Sequence, residues 1–101
     1  MATKKLKPVH PGEILREEFM KPLGLSANGL AAAVGATPPR INDIARERRG
    51  ITADTALRLA RYFGTTHQFW MNLQANYDIE IAKAAAGKLI EKITPLEAEA
   101  A

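Results

Sequence analysis

Cysteine is absent from the 101 residues, which excludes a disulfide framework and any thiolate metal site. Aromatic residues are scarce at 6%, with a single tryptophan. The β-branched residues are scattered and do not alternate, so no stretch reads as one face of a pleated sheet. No apolar run approaches the roughly 20 residues that a membrane-spanning helix needs. The opening Met1-Ala2-Thr3-Lys4-Lys5-Leu6-Lys7 carries charge with no apolar stretch behind it, unlike a secretion signal. The expectation left by these absences is a soluble, cytoplasmic, all-α protein. With 47% hydrophobic residues, rich in Ala and Leu, the chain can form one small core.

The formal net charge is only +3, so its distribution carries more than its size. Residues 1–36 hold five Lys/Arg against three Glu. Residues 37–63 hold six Arg against Asp43, Glu47 and Asp54, and residues 64–101 hold three Lys against five acids. A solvated, mixed-charge surface produces similar counts. The position of the arginines relative to the helices decides between that reading and an anionic partner.

Residues 1–9 are predicted to be a flexible basic arm. His10-Pro11-Gly12-Glu13 opens a first helix, because a proline at the first helical position loses no hydrogen bond. Glu13, Glu17 and Glu18 suit its dipole. Ile14, Leu15, Phe19 and Met20 form its apolar stripe, and Pro22 with Gly24 is expected to end it. Ser26 is the N-cap of a second helix, with Leu25 and Leu30 spaced as a hydrophobic staple. Gly35 supplies a tight turn that needs positive φ. Thr37 caps a third helix with Pro38 at its first position, Ile41 and Ile44 inward, and Pro39, Arg40, Asp43 and Arg46 outward. Two short helices around a tight turn, followed by Arg46, Arg48 and Arg49, have the layout of a helix-turn-helix.

Gly50 breaks the chain, and Thr52 caps a fourth helix over Ala53 to Phe63. Leu57, Leu59, Ala60 and Phe63 are its predicted apolar face. After Gly64, Thr65 or Thr66 caps a fifth helix, Thr65 forming a possible capping box with Gln68. Phe69, Leu73, Tyr77 and Ile81 recur every fourth residue, and Trp70 lies off that line. A helix apolar on two sides implies a contact beyond its own domain. Trp70, Leu73, Tyr77 and Ile81 are therefore the candidate dimerisation residues. Gly87 weakens the helix without ending it, Thr94-Pro95-Leu96-Glu97 resembles a new start, and the last four residues read as disordered. The division predicted is a 1–9 arm, a 10–83 domain and an 84–101 helical extension with a tail.

Several blocks together resemble a known family. They are His10-Pro11-Gly12-Glu13-Ile14-Leu15, Pro22-Leu23-Gly24-Leu25-Ser26, Arg40-Ile41-Asn42, Arg48 through Ala60, and Phe69-Trp70-Met71-Asn72-Leu73-Gln74. In order and spacing they are similar to the HigA/VapI group of antitoxins within the Xre (Cro/C1-type) helix-turn-helix proteins. The resemblance implies a five-helix, lambda-repressor-like fold with a C-terminal helical extension. It also implies a homodimer on a palindromic double-stranded operator and a HigB/RelE-like mRNA-cleaving toxin as partner. An orphan repressor without a toxin is the alternative.

Carried over by position, Thr37, Pro38, Pro39 and Asp43 face base edges. Arg40, Arg46, Arg48 and Arg49 contact phosphates or guanine, and Ser26 and Asn28 anchor another phosphate. Free N–H groups at the start of the third helix are expected to help bind phosphate. Two departures stand out: Pro39 follows Pro38, and Ala45-Arg46-Glu47 replaces the frequent Asn-Gly cap, implying a longer or differently angled exit. His10, Glu13 and Glu17 do not make a metal site, since His10 precedes the helix. No Ser or Thr has a base-plus-orienter arrangement, so no enzyme and no cofactor are expected.

Overall fold

A computed structural model describes residues 7–97. Among them are five helices and no strand, as the composition predicts. Most of the arm and the last four residues lie outside the described part.

The first helix, α1 (residues 11–23), begins with His10 as its N-cap, whose Nδ1 accepts from the Gly12 N–H at 2.8 Å. It is α-helical over Pro11–Ile14, π-helical over Leu15–Met20 and α-helical again over Lys21–Leu23. Pro22 therefore does not end the helix; Gly24 does, at φ 66°. Pro22 has no N–H, and its ring crowds the carbonyl four residues earlier. The preceding stretch widens to five-residue bonding, with the Lys21 N–H donating to the Arg16 carbonyl, so the chain continues past the proline.

The next two helices are α2 (Ala27–Val34) and α3 (Pro38–Ala45). Ser26 Oγ accepts from the Gly29 N–H at 3.0 Å, and Thr37 Oγ1 accepts from the Arg40 N–H at 3.3 Å. Gly35 turns between them at φ 72°. Leu30, Ala31 and Val34 from α2 meet Ile41, Ile44 and Ala45 from α3 in the core. Ala31 has the short side chain that a steep helix crossing at a tight turn requires.

Helix α4 (Ala53–Phe63) starts on Thr52, and its buried stripe is Thr55, Ala56, Leu59 and Ala60 with Phe63 at the edge. Leu57 is 57% exposed, contrary to the predicted face. One residue turns a helix by about 100°, and the 56–59–60–63 line is the one that meets the core.

Helix α5 (His67–Glu91) is a single helix of 25 residues. Its N-cap is Thr66, which accepts from the Phe69 N–H at 3.0 Å. The capping box from Thr65 to Gln68 does not form: the Thr65 hydroxyl accepts from Trp70 Nε1 at 2.8 Å, and Gln68 bonds to Asn72. Trp70 is fully buried, within 4.9 Å of Phe19 and 6.2 Å of Phe63 between ring centroids. It belongs to the core of its own chain and is withdrawn as a dimerisation residue, because its ring fills the space between α1 and α4 and its one donor is satisfied there.

The later part of α5 leaves the core. It runs across residue 83 without a break, so the predicted division there falls inside a continuous helix. Ile79, Ile81, Leu89 and Ile90 are exposed on it. The radius of gyration is 17.4 Å, against about 13 Å for a compact chain of this length, which reflects this projecting arm. No described helix is long and apolar enough to cross a membrane.

Candidate nucleic-acid interface

The outward face of α3 is built by local capping on one side and core packing on the other. Ile41 and Ile44 are completely buried and fix the helix by its inner face. Thr37, Pro38, Pro39 and Arg46 are left exposed, with Arg40 and Asp43 half-buried. A shallow cleft lies between the start of α2 and α3, lined by Ala27, Asn28, Pro38, Pro39, Asn42 and Asp43. The structure thus brings Asn28 to Pro38, Pro39 and Asp43 and adds Asn42 and Ala27, which sequence reasoning assigned no role. Asn42 stood inside a motif, but only the crossing of α2 over α3 places it in the cleft.

The start of α3 does not offer the free N–H groups expected of it. Pro38 and Pro39 have none, the Arg40 N–H is taken by Thr37 Oγ1, and the Ile41 N–H donates to the Thr37 carbonyl at 3.3 Å. Two prolines and a satisfied cap remove the donors that a phosphate would use. The start of α2 retains them: beyond the Ser26–Gly29 bond, the Ala27 and Asn28 N–H groups form no hydrogen bond among the described residues.

The exit from α3 is as short as a glycine-containing one. Glu47 takes the left-handed conformation at φ 65°. The Glu47 N–H donates to the Ile44 carbonyl at 2.9 Å and the Arg48 N–H to the Asp43 carbonyl at 2.8 Å. That is the Schellman arrangement with glutamate in the usual glycine position. In place of the hydrophobic contact that often accompanies it, Arg48 and Asp43 pair at 3.2 Å. The Glu47 carboxylate reaches Arg16 at 3.3 Å, and Arg16 Nη1 also donates to the Ala45 carbonyl. An arginine from α1 thus braces the end of α3.

Behind the other end of α3 is a second brace that sequence reasoning missed. Arg58 donates from Nη1 to the carbonyls of Val34 at 2.9 Å and Gly35 at 3.2 Å, the last of α2 and the turn itself. Its Nε donates to Asp54 Oδ2 at 2.8 Å, and Arg40 Nη1 donates to the same oxygen at 2.9 Å. Arg58 first, then Arg40, hold the Asp54 carboxyl below its ordinary value through these hydrogen bonds. The four-residue spacing of Asp54 and Arg58 signals one pair; the link to Arg40 has no signal along the chain. Arg46 and Arg49 form no ion pair among the described residues.

The candidate dimerisation residues do not form one surface. Leu73 packs against the core, and Tyr77 is half-buried with its ring edge-on to His10 at 4.8 Å. Ile81 is 45% exposed. No group of three or more His, Asp or Glu side chains suited to a metal occurs among the described residues.

Comparisons with known proteins agree with this architecture. The helix-turn-helix family model matches residues 17–70. Virulence-associated protein I of Dichelobacter nodosus is 54% identical over 96 residues, covering 95% of this chain and 88% of that protein. Antitoxin HigA-1 of Vibrio cholerae is 34% identical over 79 residues, covering 78% of this chain and 74% of that one. Among solved structures, the Pseudomonas aeruginosa antitoxin HigA with the higBA promoter superposes with a TM-score of 0.84 at 54% identity. That match covers 88% of this chain and 98% of that one.

Proposed function

Because the chain belongs to the Xre-type helix-turn-helix family, we propose that it is an antitoxin that represses its own operon by binding a palindromic operator as a homodimer. The observation that carries this reading is the outward face of α3, braced by Arg16 at its last residue and by Arg58 on the turn that precedes it, on a chain that superposes on a HigA antitoxin solved with its promoter. In this reading α3 is the recognition helix. Pro38 and Pro39 offer apolar contact suited to a thymine methyl group, and Asp43 an acceptor for the cytosine amino group. Thr37, Arg40, Arg46, Arg48 and Arg49 contact phosphates around the groove, and Ser26 and Asn28 hold a phosphate at the uncommitted N–H groups of α2. Of the eight N-terminal donors of two ordinary helices, prolines and caps leave few, so arginine carries most of the backbone affinity.

A dimer sets two copies of α3 about 34 Å apart, matching one helical turn of DNA. Its contact runs through the exposed part of α5 around Ile81, since Trp70 is already buried. The second partner is a RelE-like toxin, a role supported by the antitoxin names of the relatives.

The test is fluorescence anisotropy with a duplex from the chain's own promoter region. Tight binding that weakens steeply with salt is expected; binding no stronger than to random duplex would sink the operator reading. Growth rescue on co-expression with a neighbouring RelE-like gene tests the toxin role. Absence of any such gene, with operator binding intact, would favour the orphan repressor.

A further inference from the structure

Arg40 stands at the third position of α3, close to the positive end of that helix dipole. A cation there is repelled by its own helix and favours extended rotamers in solvent. One oxygen counteracts that: Asp54 Oδ2 accepts from Arg40 Nη1 at 2.9 Å. The same oxygen accepts from Arg58 Nε at 2.8 Å, and Arg58 is itself anchored on the Val34 and Gly35 carbonyls. The carboxylate is exposed, yet it is pinned from behind by an arginine whose other end is bonded to the turn. Two guanidinium groups and one carboxylate sum to a charge of +1, so the cluster still attracts phosphate. Only one of the five N–H donors of Arg40 is used by Asp54, which leaves the rest of the guanidinium fork free.

From this geometry we infer that Asp54, held by Arg58, is a positioning residue for Arg40: it fixes the guanidinium at the edge of the recognition helix where a DNA phosphate meets its remaining donors. The inference rests on the proposed reading of Arg40 as a phosphate contact. Two opposing effects can be told apart by sign. Asp54 carries a negative charge near the polyanion, so simple electrostatics makes its removal tighten binding. Positioning makes its removal weaken binding, because Arg40 then pays side-chain entropy to be ordered on the phosphate.

The experiment measures affinity for the promoter duplex between about 50 and 200 mM salt, with the full chain and the variants Arg40→Ala, Asp54→Asn, Asp54→Glu and the Arg40→Ala/Asp54→Asn double. Thermal melting of each variant checks that the fold is kept. Arg40→Ala is expected to reduce the slope of log K against log salt by about 0.9, the loss of one phosphate contact. Asp54→Asn is expected to weaken binding several-fold with a slope lowered towards that of Arg40→Ala, although the chain has become more positive. Asp54→Glu restores part of the affinity, and the double variant is no weaker than Arg40→Ala alone. A stability effect alone lowers the active fraction without moving the slope. If Asp54→Asn binds as tightly as or tighter than the unaltered chain while Arg40→Ala loses its contact, the positioning role is overturned and the Arg40 reading stands. If Arg40→Ala leaves the slope unchanged, the Arg40 reading falls and the inference falls with it.

Discussion

Gly12 lies directly against the carbonyl oxygen of Ile44, so that a methyl group on Gly12 would overlap that oxygen. The start of α1 is thereby seated on the last turn of α3. Ile44 is itself fully buried, and its carbonyl already accepts from Glu47. Backbone cannot yield as a flexible side chain can. Gly12→Ala should therefore cost at least the roughly 1–3 kcal/mol typical of overpacking, read as a lower midpoint in urea. Gly87→Ala is the matched control: open space surrounds it within α5, so alanine should stabilise by about 0.5–1 kcal/mol.

Glu47 holds a left-handed conformation for which glycine or asparagine is better suited, at a cost of about 1 kcal/mol. Its half-exposed ion pair with Arg16 offsets a part of this, on the order of 0.2–1 kcal/mol. Glu47→Asn should then change stability little at low salt. At about 1 M salt, where the pair is screened, it should be the more stable protein, as measured by denaturant midpoints under the two conditions.

His10 can accept from Gly12 only as a neutral imidazole, and burial pushes its pKa below the ordinary 6.5, outweighing the opposing pull of Glu47 and Asp78. A proton taken up on unfolding destabilises the fold. The contribution of His10 is therefore fully present above 6.5 and is lost as pH falls from there through the lowered folded value. Melting temperature should drop over that interval, and His10→Asn, which keeps an N-cap acceptor, should remove this part of the drop. Glu17, held low first by Arg16 and then by Lys21, and Asp54 act further down the scale. Their contributions are fully present above the ordinary carboxylate values and are lost as pH falls from there through the lowered folded values.

Trp70 and Ile81 should separate folding from assembly. Trp70→Ala removes a fully buried ring and its bond to Thr65, at a cost of about 3–5 kcal/mol. It should unfold the chain at all concentrations. Ile81→Glu alters an exposed side chain and should leave helicity and melting of the monomer unchanged while shifting sedimentation towards the monomer. A dimer unaffected by Ile81→Glu together with Ile79→Glu would place the contact elsewhere.

What the residues determine alone is what short-range chemistry decides. Ser26, Thr37 and Thr52 cap helices because a hydroxyl three residues before an N–H needs no distant partner. Gly24, Gly35 and Gly64 end them at positive φ for the same reason. Those features, with the apolar stripes of α2 and α3, made the helix-turn-helix and its arginines readable along the chain. Tertiary packing decided the rest. It placed Trp70 in the core and Leu57 outside, since periodicity defines a stripe but not which neighbour it meets. It joined Arg40 to Asp54 across 14 residues and Arg16 to Glu47 across 31, and such pairs exist only once the helices have crossed. The two helices and their turn were legible; the arginine braces around α3 were made by the fold.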